Sequence, residues 1–67
     1  MKTGEIERLE IQAKIAIDRL VFYQSIEGRD TEREYWKGYL QAIQDLAVYC
    51  EIEVKGVTGV DIKYKYF

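Results

Sequence analysis

Histidine and proline are absent from this sequence, and cysteine and serine occur once each, as Cys50 and Ser25. Without histidine the chain lacks the usual ligand of zinc and haem and the usual base of hydrolytic dyads and triads. The sequence also lacks a phosphate-binding loop, since Gly56 and Gly59 have the character of turn glycines. These absences predict a protein that is not an enzyme and that holds no metal or cofactor.

The sequence also lacks an excess of basic residues and a long uninterrupted apolar run. The net charge is -2 and the pI is 5.0, whereas modules that bind nucleic acid usually have a pI above about 9. No stretch is long and apolar enough to span a bilayer, and the N-terminus lacks the apolar core of a signal peptide. We therefore expect a cytoplasmic protein with no membrane partner, and the acidic balance argues against nucleic acid.

A chain of 67 residues is expected to form one domain, residues 1–67, whose core stabilises it only marginally. One cysteine cannot close a disulfide within the chain, so this common support of small domains is missing. Hydrophobic residues make up 48% of the chain, which is more apolar surface than so small a core can easily bury. Self-association supplies the missing burial, so we expect a homo-oligomer and, in the first instance, a homodimer.

The most regular pattern lies between residues 31 and 50 and predicts a helix. Thr31 followed by Glu34 is a capping-box pattern, with Asp30 as a rival N-cap. Gly38 is unfavourable inside a helix compared with alanine, so we expect that another helix or an aromatic ring approaches it closely. The predicted core-facing arc, about 160° wide, holds Tyr35, Trp36, Tyr39, Leu40, Ala42, Ile43, Leu46, Ala47 and Cys50, and Cys50 is expected to be a buried small hydrophobe.

A second helix is predicted before it, over residues 5–27, with Gly28 as its left-handed C-terminal residue. Two sides of this helix are apolar. The broad face, expected to pack on the following helix, comprises Ile6, Leu9, Ala13, Ala16, Ile17, Leu20, Val21 and Tyr23. A narrower stripe near the opposite side comprises Ile11, Ile15, Phe22 and Ile26, and we expect the C-terminal segment, a second copy of the chain, or both to cover it.

Beyond Cys50 apolar and charged residues alternate, as in a strand with one buried face. We predict a β-hairpin with strands over residues 52–56 and 60–66 and a three-residue turn, which pairs Val54 with Ile62 and Ile52 with Tyr64. The predicted fold class is therefore α+β, a helical hairpin followed by a β-hairpin.

Aromatic side chains near charged ones are candidates for partner or ligand contact, because tyrosine and tryptophan are common at interface hot spots. Such residues lie at the start of the helix over 31–50 and at the chain end. The candidates are Tyr35, Lys63, Tyr64, Lys65, Tyr66 and Phe67.

Residues 34–43, EYWKGYLQAI, resemble the aromatic-x-Gly-aromatic helix of small uncharacterised phage and prophage proteins. The resemblance implies a compact acidic accessory protein that binds and inhibits a host protein or sequesters a signal molecule. Together with the features above, it favours a homodimer that occludes a partner protein. The alternatives are an oligomer that binds a nucleotide-type small ligand and a regulator associated with nucleic acid.

Overall fold

The computed structural model describes residues 3–60 and 62–66, without the side chains of Lys63 and Tyr66. These residues form three helices: α1 (Thr3–Gln24), α2 (Asp30–Tyr49) and the short α3 (Ile62–Tyr66). Helices α1 and α2 pack together as a hairpin, which confirms the predicted pair of helices. None of the helices in the described part of the chain is both long and apolar enough to cross a membrane.

The turn between α1 and α2 differs from the prediction, because α1 ends at Gln24 instead of residue 27. Gly28 adopts the expected left-handed conformation, with φ 83°, but it follows a turn instead of the helix itself. The Nη1 atom of Arg33 donates hydrogen bonds to the carbonyl oxygens of Tyr23 (2.9 Å) and Ile26 (3.0 Å). This guanidinium group therefore links the last turn of α1 to the turn that follows it, where carbonyl oxygens lack helical partners.

The predicted caps of α2 are wrong. The helix starts at Asp30, and Arg29 occupies the N-cap position without a capping hydrogen bond from its side chain. Asp30 and Glu32 lie in the first turn, where negative charge is favoured by the helix dipole. Asp30 also pairs with Arg33, so charge interactions replace the expected capping box.

The core is built equally from α1, α2 and the segment that follows them. The alanines of the core let α1 and α2 approach closely. Its larger side chains fill the space between these helices and residues 52–62. The buried residues are Ala13, Ala16 and Leu20 of α1, Leu40, Ile43 and Ala47 of α2, and Val54, Val57 and Ile62.

The predicted β-hairpin is wrong, since the described residues contain no strand and the fold there is helical with a coiled segment. Thr58 closes a tight turn: its hydroxyl accepts from the Val54 amide and donates to the Val54 carbonyl, both at 3.0 Å. Gly59, expected in the turn, has the left-handed φ of 73°, but Gly56 has a φ of 83° where an extended strand was expected. The fold class is therefore not α+β.

Burial explains why the alternating pattern misled. Val54 and Ile62, expected on the inner face of a hairpin, are fully buried, but so is Val57, which was expected in the turn. The segment packs these three side chains against one side of the helical hairpin. It is held by hydrogen bonds from Gln44 Nε2 to the Val60 carbonyl (2.9 Å) and from the Ile52 amide to the Ala47 carbonyl (2.9 Å).

Gly38 has no close neighbour, contrary to the prediction, because a Cβ added there meets no atom within 4 Å. We therefore expect Gly38→Ala to raise the free energy of unfolding by about 1 kcal/mol through helix propensity alone. Gly59→Ala is the matched control, since φ 73° disfavours a side chain by roughly 1–2 kcal/mol. Thermal melting of both variants tests this, and destabilisation by Gly38→Ala would show that another group approaches Gly38.

Candidate interaction surfaces

The first candidate surface is the α1 stripe, which we define as Ile11, Ile15 and Phe22. Their side chains are 62%, 45% and 56% exposed. At about 100° of rotation per residue, the stripe lies about 150° from the face that Ala13, Ala16 and Leu20 bury. Within the described part of the chain, neither α2 nor the C-terminal segment covers it, and its coverage by a second copy stays a prediction.

Ile26, the fourth residue of the predicted stripe, lies beyond the end of α1. It is half-buried, and its amide donates to the Tyr23 carbonyl over 3.2 Å in the interhelical turn. The α1 stripe therefore ends at Phe22, and any contribution of Ile26 to an interface remains a prediction.

Phe22 is held in place by its neighbours. Its ring contacts Tyr23 edge-on, with a centroid distance of 5.1 Å. The Ser25 hydroxyl donates to the Phe22 carbonyl over 3.2 Å. A shallow depression of about 290 Å³ lies between Ile15, Asp18, Arg19 and Phe22. The surface of the stripe is therefore concave here as well as apolar.

Charged residues of both signs flank the α1 stripe. Glu5, Arg8, Lys14, Asp18 and Arg19 are all exposed. The ion pairs among the described residues involve Arg29, Arg33 and Lys37, and no charged side chain of α1 pairs with another described residue. These charges are therefore available to a molecule that covers the stripe.

A second candidate surface runs along α2. This α2 stripe comprises Tyr35, Tyr39, Ala42, Leu46 and Tyr49, at spacings of four and three residues that place them on one helix face. Tyr35 is 61%, Leu46 38% and Tyr49 87% exposed. The wide arc that was predicted to face the core is thus only partly buried.

The position of the C-terminal segment explains this exposure. It contacts α2 through Gln44 and Ala47, on the other side of the helix from the α2 stripe. Cys50 is exposed at the end of α2, so the prediction that it is a buried hydrophobe is also wrong. Periodicity identified the arc, but it could not indicate which part of the arc the rest of the chain covers.

The aromatic end of the α2 stripe is already ordered within one chain. Tyr35 packs edge-on against Trp36 at a centroid distance of 4.9 Å, and Trp36 packs against Tyr39 at 5.5 Å. Because these contacts restrict the rings before binding, less side-chain entropy is lost when a partner covers them.

A groove of about 540 Å³ separates α1 from the turn at residues 55–56. Ile11 and Ile17 form its apolar lining, and Gly56 lies at its wall, where an added Cβ would come within 3.7 Å of Ile17 Cδ1. Two lysines and two glutamates stand around it, namely Lys14, Lys55, Glu7 and Glu10. The balance of charge gives the groove no strong preference for an anion.

The remaining predicted contact residues lie at the chain end. Tyr64 is 90% exposed and Lys65 is exposed, so neither is part of the core. The side chains of Lys63 and Tyr66 and the whole of Phe67 lie outside the described residues. Of the predicted partner or ligand contacts, Tyr35 alone falls on one of the two stripes.

Among the residues that the structure describes, no three His, Cys, Asp or Glu side chains are grouped so that they could hold a metal ion. Comparison with known proteins gives no match to a family model, to a curated protein or to a solved structure.

Proposed function

We propose that this protein is a small, non-enzymatic, cytoplasmic interaction protein that forms a homodimer through the α1 stripe and occludes a partner protein through the α2 stripe. The observation that carries the proposal is the exposure of two separate apolar stripes, one on each helix of the hairpin. Isolated exposed hydrophobic residues are ordinary, whereas residues in register along a helix are typical of protein contacts.

The two stripes suit different partners. The α1 stripe consists of isoleucine and phenylalanine beside charges of both signs, which suits a self-complementary contact. The α2 stripe is rich in tyrosine, which combines a large contact area with few rotatable bonds and is enriched at binding hot spots. The resemblance of residues 34–43 to small phage and prophage proteins supports an inhibitor or accessory factor.

Binding of a small anionic ligand is the second candidate function, and the groove beside α1 is the observation that favours it. Lys14 and Lys55 stand at its rim, but Glu7 and Glu10 stand there too. A panel of nucleotides in a thermal-shift assay tests this candidate. A strong stabilisation by one nucleotide that Lys55→Glu removes would place this function first.

Capture of the partner from the native host tests the proposed function. We expect the unmodified protein to retain a specific protein, and we expect Tyr35→Ala combined with Tyr49→Ala to weaken its binding at least about tenfold. Val48→Ala is the matched control, because Val48 is 71% exposed but lies outside the α2 stripe. Equal binding by both variants would contradict a role for the α2 stripe.

A further inference from the structure

We infer that the partner protein presents a basic amphipathic helix, which packs lengthwise on α2 over Gly38. The inference rests on the proposed function and names the chemistry of the partner that the α2 stripe binds. It is drawn from an exposed glycine in the middle of α2, the residues in line with it, and the charge of that line.

Gly38 has no structural reason within the chain. It lies inside α2 and is exposed, although glycine is less favourable than alanine in a helix. An added Cβ meets no atom within 4 Å, and the φ of Gly38 is not in the left-handed region. Because glycine leaves room for close approach to its backbone, its position is explained if another molecule packs there.

Three further exposed residues continue from Gly38 along the same side of α2. Ala42, Asp45 and Tyr49 follow at spacings of four, three and four residues, which keeps all four positions within an arc of about 60°. We call these four residues the Gly38 line; it borders the α2 stripe and shares Ala42 and Tyr49 with it. With Gly38 and Ala42 at its centre, a partner helix can pack at the short end of the usual range of about 8–10 Å between helix axes.

Asp45 determines the charge that the partner must carry. Its carboxylate accepts a hydrogen bond from Gln41 Nε2 over 3.0 Å, but no ion pair among the described residues involves it. A helix on the Gly38 line covers Asp45, and covering a carboxylate without a counter-charge is costly. The partner therefore has to supply a lysine or an arginine at this position.

The surroundings of Asp45 add negative charge. Residues 29–53 hold six acidic side chains and three basic ones. The three basic side chains pair with acids near the start of α2, so the excess negative charge lies at its carboxyl end, with Asp45, Glu51 and Glu53. Glu51 and Glu53 are exposed, and the helix dipole makes the same end more negative. This end attracts a partner with several basic residues.

Other occupants fit the Gly38 line less well. In a closed dimer, a second copy offers no positive charge to Asp45, because the two basic residues of α2 lie more than about 100° away around the helix. A contact with Arg8 or Arg19 on α1 of another copy would build open chains instead of a closed dimer. Nucleic acid and anionic lipid surfaces are repelled by the carboxylates.

Titration with a synthetic peptide tests the inference. The probe is an amphipathic helical peptide of about 20 residues, with a stripe of leucine and alanine flanked by lysine and arginine. The matched control peptide has glutamate at every basic position. Trp36 is the single tryptophan and packs against Tyr35 and Tyr39, so its fluorescence reports when this side of α2 is covered. We expect the basic peptide to bind with a micromolar dissociation constant that rises with salt, and the control peptide not to bind.

Substitutions on the Gly38 line locate the binding. Gly38→Gln should raise the melting temperature, because glutamine is the better helix former, and yet raise the dissociation constant of the basic peptide at least about tenfold. Asp45→Lys should weaken binding by a similar factor. Val48→Gln and Glu27→Lys are the matched controls at exposed sites off the line, and we expect their affinities to stay within about twofold of the unmodified protein.

The outcomes separate the inference from the function on which it rests. No binding of the basic peptide, equal binding of both peptides, or Gly38→Gln and Asp45→Lys variants that bind as well as their controls would overturn the inference. The proposed function stands in each case if the protein retains a host protein that Tyr35→Ala combined with Tyr49→Ala releases. If no host protein is retained and the basic peptide does not bind, both fail.

Discussion

Replacing both Ile15 and Phe22 with glutamate is expected to convert the proposed dimer into a monomer, with a dissociation constant raised at least about a hundredfold. The two changes remove two of the three apolar side chains of the α1 stripe and add four negative charges to the interface of each dimer. Because both residues are half-exposed in the single chain, we expect the helical hairpin itself to remain folded. Light scattering measures the mass, and circular dichroism checks the helix content.

Val48→Glu is the control for this experiment. Val48 is 71% exposed and lies on neither stripe, so the same type of substitution should leave the mass of the dimer unchanged. Dissociation by Val48→Glu, or a dimer that survives the double change at the α1 stripe, would argue against an interface on α1.

The second large effect is expected from Val57→Ala, which should lower the free energy of unfolding by about 2 kcal/mol. The substitution removes two fully buried methyl groups and leaves a cavity between the C-terminal segment and the helices. In a domain of this size, such a loss lowers the melting temperature by about 10 °C. Melting curves followed by circular dichroism give the value.

Val48→Ala provides the matched comparison, since it makes the same chemical change at a site that is 71% exposed. Its effect should stay within about 0.5 kcal/mol. Equal effects of the two substitutions would place Val57 on the surface, as the turn of a β-hairpin would, and would contradict the packing of residues 52–62 described above.

The sequence predicted the helices well, because helical periodicity reports directly on which residues share a helix face. Ala13, Ala16, Leu20, Leu40, Ile43 and Ala47 were all expected in the core, and all are buried. The α1 stripe was also found from the sequence, since its residues stand apart from the broad face that meets α2. Both results depend on local spacing along a single helix.

The C-terminal segment could not be predicted in the same way. Alternation of apolar and charged residues was taken for strands, but Thr58 and the left-handed glycines at 56 and 59 close turns within the segment. Burial of Val57 was invisible to a two-residue period. The exposure of the α2 stripe was missed for the same reason, because the side of α2 that stays uncovered depends on where the C-terminal segment packs.

The protein is proposed to function as a dimer joined through α1, and the mass of the unmodified protein in solution tests this proposal most directly. Sedimentation equilibrium over a range of concentrations should show a reversible dimer of 67-residue chains. A mass that remains that of one chain up to high micromolar concentration would contradict the account.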